Sequence, residues 1–159
     1  MTKLYVREGL EFREAESNTI LMQADALISR RFCSAARLLS EPQRVKDFLR
    51  FHLGGKDYEV FRLLHLTKRN RLIAVEDLFR GTIDGANVYP REVVKSALAR
   101  GSASVIVYHN HPSGHSEPSP ADEGVTRRLR QALDLVDVRL LDHLVVGETI
   151  YSFAEHGIL

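Results

Sequence analysis

The chain has 159 residues, of which 44% are hydrophobic and 27% charged, the balance of an ordinary domain able to bury a real core. That composition excludes a wholly disordered chain, a collagen-like repeat and a disulfide-stapled miniprotein. With 22 Lys plus Arg against 21 Asp plus Glu, the net charge of +1 gives no global electrostatic case for nucleic acid or a membrane surface.

The length fits one domain. A single cysteine, Cys33, can form neither an internal disulfide nor a thiolate metal site alone, and suits a reducing compartment. No segment has the apolar core of a signal peptide or approaches 18 apolar residues, so a cytoplasmic protein without a membrane partner is expected.

Residues 1–18 mix charges of both signs without period and read as a loose arm or an edge element. From Thr19, the residues Ile20, Leu21, Ala24, Leu27 and Ile28 share one helical face. A second short helix begins near Pro42, carries Val45, Phe48 and Leu49 as its stripe, and ends at Gly54-Gly55. The apolar runs 60–66 and 71–75, separated by Lys68-Arg69-Asn70, predict a hairpin, and Gly81 to Gly85 a loop. Pro90 opens a helix with the stripe Val93, Val94, Ala97 and Leu98, closed by Gly101. Residues 104–108 form a short, continuous β-branched run, the pattern of a central strand buried on both faces. A Pro/Ser/Gly-rich loop over 111–118 leads to a long amphipathic helix over about 120–136, then strands over 138–146 and 150–153. Strands alternating with helices predict an α/β layered domain.

The chemistry concentrates in residues 109–122. His109 and His111 stand two apart at a strand's end, so both imidazoles face the same side and can reach one ion. Asp122 lies in the first turn of the next helix, where it can swing back over the strand end. Two His and one Asp leave a fourth position open, the layout of a catalytic zinc site. A purely structural reading stands beside it. Ser119-Pro120-Ala121-Asp122 is also close to a capping box with Pro at the first helical position.

This stretch resembles the JAMM (MPN+) metalloprotease signature: H-x-H, ten residues, then D, with Ser three before the Asp. The wording around His109-Asn110-His111-Pro112-Ser113-Gly114 is similar to the RadC-type branch, as are Glu59-Val60-Phe61-Arg62, Gly81-Thr82-Ile83, Tyr89-Pro90-Arg91-Glu92-Val93 and residues 141–147. The resemblance covers about residues 42–159. It divides the chain into an N-terminal arm and helix over 1–41 and a JAB/MPN domain over 42–159. It implies a cytidine-deaminase-like α/β fold, a mixed sheet flanked by helices, with Zn2+ on His109, His111 and Asp122. It further implies an upstream Glu that holds and deprotonates the attacking water, and a role for Ser119 in stabilising the oxyanion. Glu59 fits that Glu because it opens the first hairpin strand, and Glu92 is its competitor. Longer members of the branch carry an N-terminal helix-hairpin-helix region associated with DNA. Residues 1–41 are too short for one and show no hairpin glycine motif, so nucleic acid is a weakly supported partner.

The expected function is therefore a zinc-dependent metallohydrolase, a peptidase or isopeptidase acting on a peptide or protein substrate. The alternative is a non-enzymatic accessory or DNA-metabolism protein that uses the JAB domain for partner binding. Three further features have plainer readings. His115 follows Gly114 in a polar loop and is expected to be exposed. His143, beside Asp142 on a strand, reads as a hydrogen-bonded structural histidine. Arg127, Arg128 and Arg130 read as the solvated face of the long helix.

Overall fold

The computed structural model describes residues 4–17, 19, 20, 23, 24, 27, 45, 46, 49, 58–81 and 88–159. The expected boundary at residues 41 and 42, Cys33, His52, Pro42, Gly54-Gly55 and most of the loop expected from Gly81 to Gly85 lie outside them.

Within the segment expected as a loose arm or an edge element, residues 5–14 form a hairpin. Strand β1 (Tyr5–Glu8) pairs antiparallel with β2 (Glu11–Glu14) in a two-stranded sheet of its own, and Gly9 takes a left-handed φ of 64° at the turn. Without a regular alternation of apolar residues the segment gives no strand signal, and the hairpin buries little: Leu10 and Phe12 remain exposed.

The main sheet comprises β3 (Val60–Leu66), β4 (Leu72–Arg80), β5 (Ser104–Asn110), β6 (Arg139–Val146) and β7 (Ile150–Ser152), in the order β4-β3-β5-β6-β7. Only β5 and β6 run parallel; the remaining pairs are antiparallel. The parallel pair needs a crossover, which helix α2 (Pro120–Asp134) supplies. Helix α1 (Pro90–Ala99) connects β4 to β5. The architecture is the α/β layering that the residue pattern predicts, with the mixed sheet flanked by helices that the resemblance implies.

Strand β4 runs five residues past the expected end at Val75, to Arg80. Glu76 and Asp77 interrupt the apolar run, but an edge strand tolerates charge, and Asp77 pairs with Arg62 on β3 (Nε to Oδ1 2.6 Å).

Two apolar layers hold the sheet. On one face Phe61, Leu63, Val105 and Val107 pack with Val93 and Ala97 of α1 and Val125, Leu129 and Leu133 of α2. On the other, Leu64, Leu66, Ile106, Tyr108 and Leu144 meet Val45 and Leu49, which lie in helical backbone. Burial on both faces explains why β3 and β5 read as continuous apolar runs. Each fully buried apolar side chain contributes about 1.5–3 kcal/mol, so this double layer is what fixes the strand ends in space. Among the described residues, no helix is long and apolar enough to cross a membrane.

Candidate metal centre

Strand alternation carries Val105, Val107 and His109 along the helix-covered face of β5, opposite Leu63 and Phe61 of β3. His109 is therefore buried, at 1% exposure, while His111 lies one residue beyond the strand and is half-buried. The chain past β5 stays in register because His111 N donates to Val146 O (2.9 Å). His111 Nδ1 lies 2.8 Å from the His115 carbonyl oxygen. A carbonyl only accepts, so Nδ1 carries the proton and Nε2 turns its lone pair inward.

The loop after His111 packs on the turn between β6 and β7. Gly114, at φ 84°, accepts from Glu148 N (2.7 Å), and Gly147 lies so close that a Cβ there would overlap the Gly114 carbonyl.

Asp122 arrives from the third position of α2. The capping box is complete: Asp122 N donates to Ser119 Oγ (3.2 Å), and Ser119 N donates back to Asp122 Oδ2 (2.7 Å). Ser119 Oγ also donates to Oδ2 (2.6 Å). The structural and functional readings of this turn are thus one arrangement. The cap occupies Oδ2 and aims Oδ1 at His109 Nε2, 3.2 Å away.

His109 Nε2 and His111 Nε2 stand 3.0 Å apart, and His111 Nε2 is 3.6 Å from Asp122 Oδ2. Ligands about 2.0–2.1 Å from a tetrahedral ion lie roughly 3.3 Å from one another, so these separations suit one ion. The donor chemistry, two imidazole nitrogens and a carboxylate oxygen, suits zinc equally well. These three residues are the group of ligand atoms that could hold a metal among the described residues.

Glu59 stands just outside this trio, with Oε1 4.0 Å from His109 Nε2. It sits immediately before β3, and a residue that sequence reasoning passed over holds it there. Asn110, between the two histidines, accepts from Val60 N through Oδ1 (2.9 Å) and donates from Nδ2 to Tyr58 O (2.9 Å). Both neighbours of Glu59 are therefore tied to the strand that carries His109. Glu92 is not brought to the cluster. It lies on the outer side of α1, bonded to Lys95 (2.9 Å) and near Arg91 (3.3 Å), and Lys95 holds its carboxyl below the usual range.

The charges reinforce one another. Burial pushes the Glu59 carboxyl up; His109 and His111 oppose this and Asp122 adds to it. Burial disfavours ionised Asp122, yet the facing rings of His109 and His111 and the Ser119 hydroxyl hold it well below the usual carboxylate range. The Asp122 carboxylate raises His111, against burial.

His143 is wholly buried as expected, but its partners were not foreseen: Nε2 lies 2.9 Å from His109 Nδ1, and Nδ1 lies 2.6 Å from Thr126 Oγ1. Thr126 gave no sequence signal beyond a hydroxyl within an apolar helix stripe. His115 is exposed and contributes only its carbonyl; Arg127, Arg128 and Arg130 are exposed. His65 and His156 lie away from the trio, bonded to Ser102 (2.8 Å) and the Ser152 carbonyl (2.7 Å).

Beside the trio a cleft of about 420 Å³ opens between β3, the start of α1 and α2. Glu59 and Asp122 form its polar wall, Phe61, Tyr89 and Val125 its apolar one, and Arg128 stands at its edge.

A mixed sheet with helices on its flank, carrying two imidazoles and a carboxylate at the end of its central strand, places the chain among α/β domains of the JAB type. The model of the RadC-like JAB domain matches residues 39–158, and the chain belongs to that family. It is 61% identical over 120 residues to a UPF0758 protein of Janthinobacterium sp. (strain Marseille), covering 75% of this chain and 54% of that protein. A UPF0758 protein of Cellvibrio japonicus is 62% identical, covering 76% of this chain and 54% of that relative. The chain thus spans about half the length of these curated relatives. A UPF0758 protein of Vibrio cholerae is 49% identical over 142 residues, which is 89% of this chain and 90% of that one.

Proposed function

We propose that the chain is a zinc-dependent hydrolase that cleaves a peptide or isopeptide bond. The observation that supports this reading best is the convergence of His109 Nε2, His111 Nε2 and Asp122 Oδ1, with the raised Glu59 carboxyl 4.0 Å from the first of them. Three protein ligands leave a fourth position for the reacting oxygen, which a closed structural site does not. A bound zinc ion supplies polarisation of the scissile carbonyl and lowers the pKa of the attacking water toward about 7. Glu59 would accept the proton of the attacking water and pass it to the leaving amine. A carboxyl pushed up by burial suits both halves of that transfer better than an exposed one. Asp122 stays ionised, because the Ser119 backbone N–H and hydroxyl both donate to Oδ2. The cleft beside Glu59 receives the substrate chain, with Phe61, Tyr89 and Val125 contacting its apolar portion.

The test combines metal analysis with cleavage. Purified without chelator, the protein holds about one zinc per chain and cleaves members of a mixed peptide and isopeptide library; chelation abolishes the cleavage and zinc restores it. His111→Ala loses the ion, because two remaining ligands cannot hold it tightly. Full zinc occupancy in a His109→Ala/His111→Ala double variant would overturn the site. Zinc binding with no cleavage of any library member would instead favour a partner-binding role.

A further inference from the structure

The structure assigns Thr126 and His143 a positioning role: together they commit His109 to the one tautomer that presents a lone pair to the metal site. This inference rests on the metal-site reading and goes beyond it, because neither residue touches the ion or the substrate.

The chain of hydrogen bonds starts at the backbone of a ligand. Thr126 Oγ1 donates to the Asp122 carbonyl oxygen (2.6 Å), four residues earlier on α2. A hydroxyl has one proton, and a carbonyl can only accept it. The contact of 2.6 Å between Thr126 Oγ1 and His143 Nδ1 must then be made with the proton on Nδ1. His143 lies wholly buried, stacked on Phe153 (centroids 4.8 Å) and edge-on to Phe61 (5.7 Å), an apolar setting that favours the neutral ring. A neutral ring with its proton on Nδ1 has a bare Nε2. That nitrogen accepts from His109 Nδ1 at 2.9 Å, and the neutral tautomer of His109 so fixed keeps its lone pair on Nε2. His109 Nε2 is the atom that faces His111 Nε2 and Asp122 Oδ1.

The reverse chain shows what is at stake. Were Thr126 to donate to His143, His143 would donate to His109, and His109 would carry its proton on the nitrogen that must bind the metal. The Asp122 carbonyl decides between the two directions. One residue, Asp122, therefore supplies a ligand oxygen through its side chain and sets the tautomer of a second ligand through its backbone. A hydrogen-bonded partner behind a metal-bound imidazole is typically worth 10–100-fold in metal affinity.

The first test needs no metal and no variant. Long-range 1H–15N correlation spectra of the metal-free protein report the tautomer of each ring. Nδ1 of both His143 and His109 is expected to carry a proton; a bare Nδ1 on either ring overturns the proposal. The second test is zinc affinity, measured by competition with a chromophoric chelator. Thr126→Val keeps the shape and removes the hydroxyl, and is expected to bind zinc about tenfold or more weakly, with mixed His109 tautomers. Thr126→Ser restores the hydroxyl and is expected to restore both readouts. Parental affinity in Thr126→Val overturns the positioning role while leaving the metal site standing. A parent protein that binds no zinc overturns both together.

Discussion

Two buried histidines on the same face of the sheet have opposite fates. His65 on β3 lies opposite Val105, and His109 on β5 lies opposite Phe61, so four residues of strand, roughly 13 Å, separate them. Neither is accessible: His65 is 0% and His109 1% exposed. His65 spends both ring nitrogens on the protein. Nδ1 lies 2.8 Å from Ser102 Oγ, and Nε2 lies 3.3 Å from Ser96 Oγ and 3.4 Å from Glu76. Glu76 Oε2 is in turn bound by Ser96 (2.8 Å) and Arg100 (3.1 Å). His109 spends only Nδ1. Its Nε2 faces a second imidazole nitrogen and a carboxylate oxygen, an assembly of acceptors that a cation would complete. Burial and a perturbed carboxylate are common to both clusters. Convergent lone pairs with no protein donor between them distinguish a candidate site from a strut.

Substitution of a carboxylate in each cluster breaks this comparison most sharply. Glu59→Gln keeps the shape and removes the base, and is expected to lower turnover by about a hundredfold or more with zinc retained. Glu76→Gln is expected to leave turnover unchanged, as is Glu92→Gln. Steady-state cleavage beside metal analysis checks all three; an inactive Glu92→Gln with an active Glu59→Gln would reverse the assignment of the base.

Stability is expected to respond in the other cluster. His65→Ala strands Ser102 beside a cavity and should cost about 3 kcal/mol in denaturant melts, without loss of zinc. Equal zinc loss in His65→Ala would erase the distinction between the two.

A pH series sharpens it further. Burial lowers the His65 pKa below 6.5, with Glu76 opposing and Arg100 assisting. The unfolded chain therefore binds a proton there that the folded chain refuses. Its contribution to stability is complete above about pH 6.5 and declines as the pH falls below that value, by at most about 1.4 kcal/mol per unit. The metal-free His65→Gln variant should show a shallower decline than its parent; identical slopes would rule out His65 as a contributor.

The smallest expected effect lies at the helix cap. Ser119→Ala removes the bonds to Asp122 at both nitrogen and carboxylate, and should cost about 1 kcal/mol of stability. Because Ser119 also holds Asp122 Oδ2, zinc affinity should fall with it; unchanged affinity would leave Ser119 a cap alone.

Much of this was legible without coordinates, for a local reason. The alternation that puts His109 on one face, the continuous apolar run of β5, and the Ser119 to Asp122 cap all depend on residues a few positions apart. The periods of strand and helix fix such relations before any tertiary contact forms. The extension of β4 and the N-terminal hairpin were not legible, because edge strands carry charge and give a weak pattern.

By itself the sequence determined the kinds of donor, the α/β order of elements and the two histidines at one strand end. Tertiary structure alone decided the rest. Asp122 reaches the histidines because α2 crosses from β5 to the parallel strand β6. Glu59 faces them because β3 pairs antiparallel with β5 and Asn110 clamps its two neighbours. His143 stands behind His109 because β6 lies beside β5 in a register that no periodicity encodes. Side chains distant in the chain meet only where strand order brings them together, and strand order is settled by burying both faces of the sheet at once.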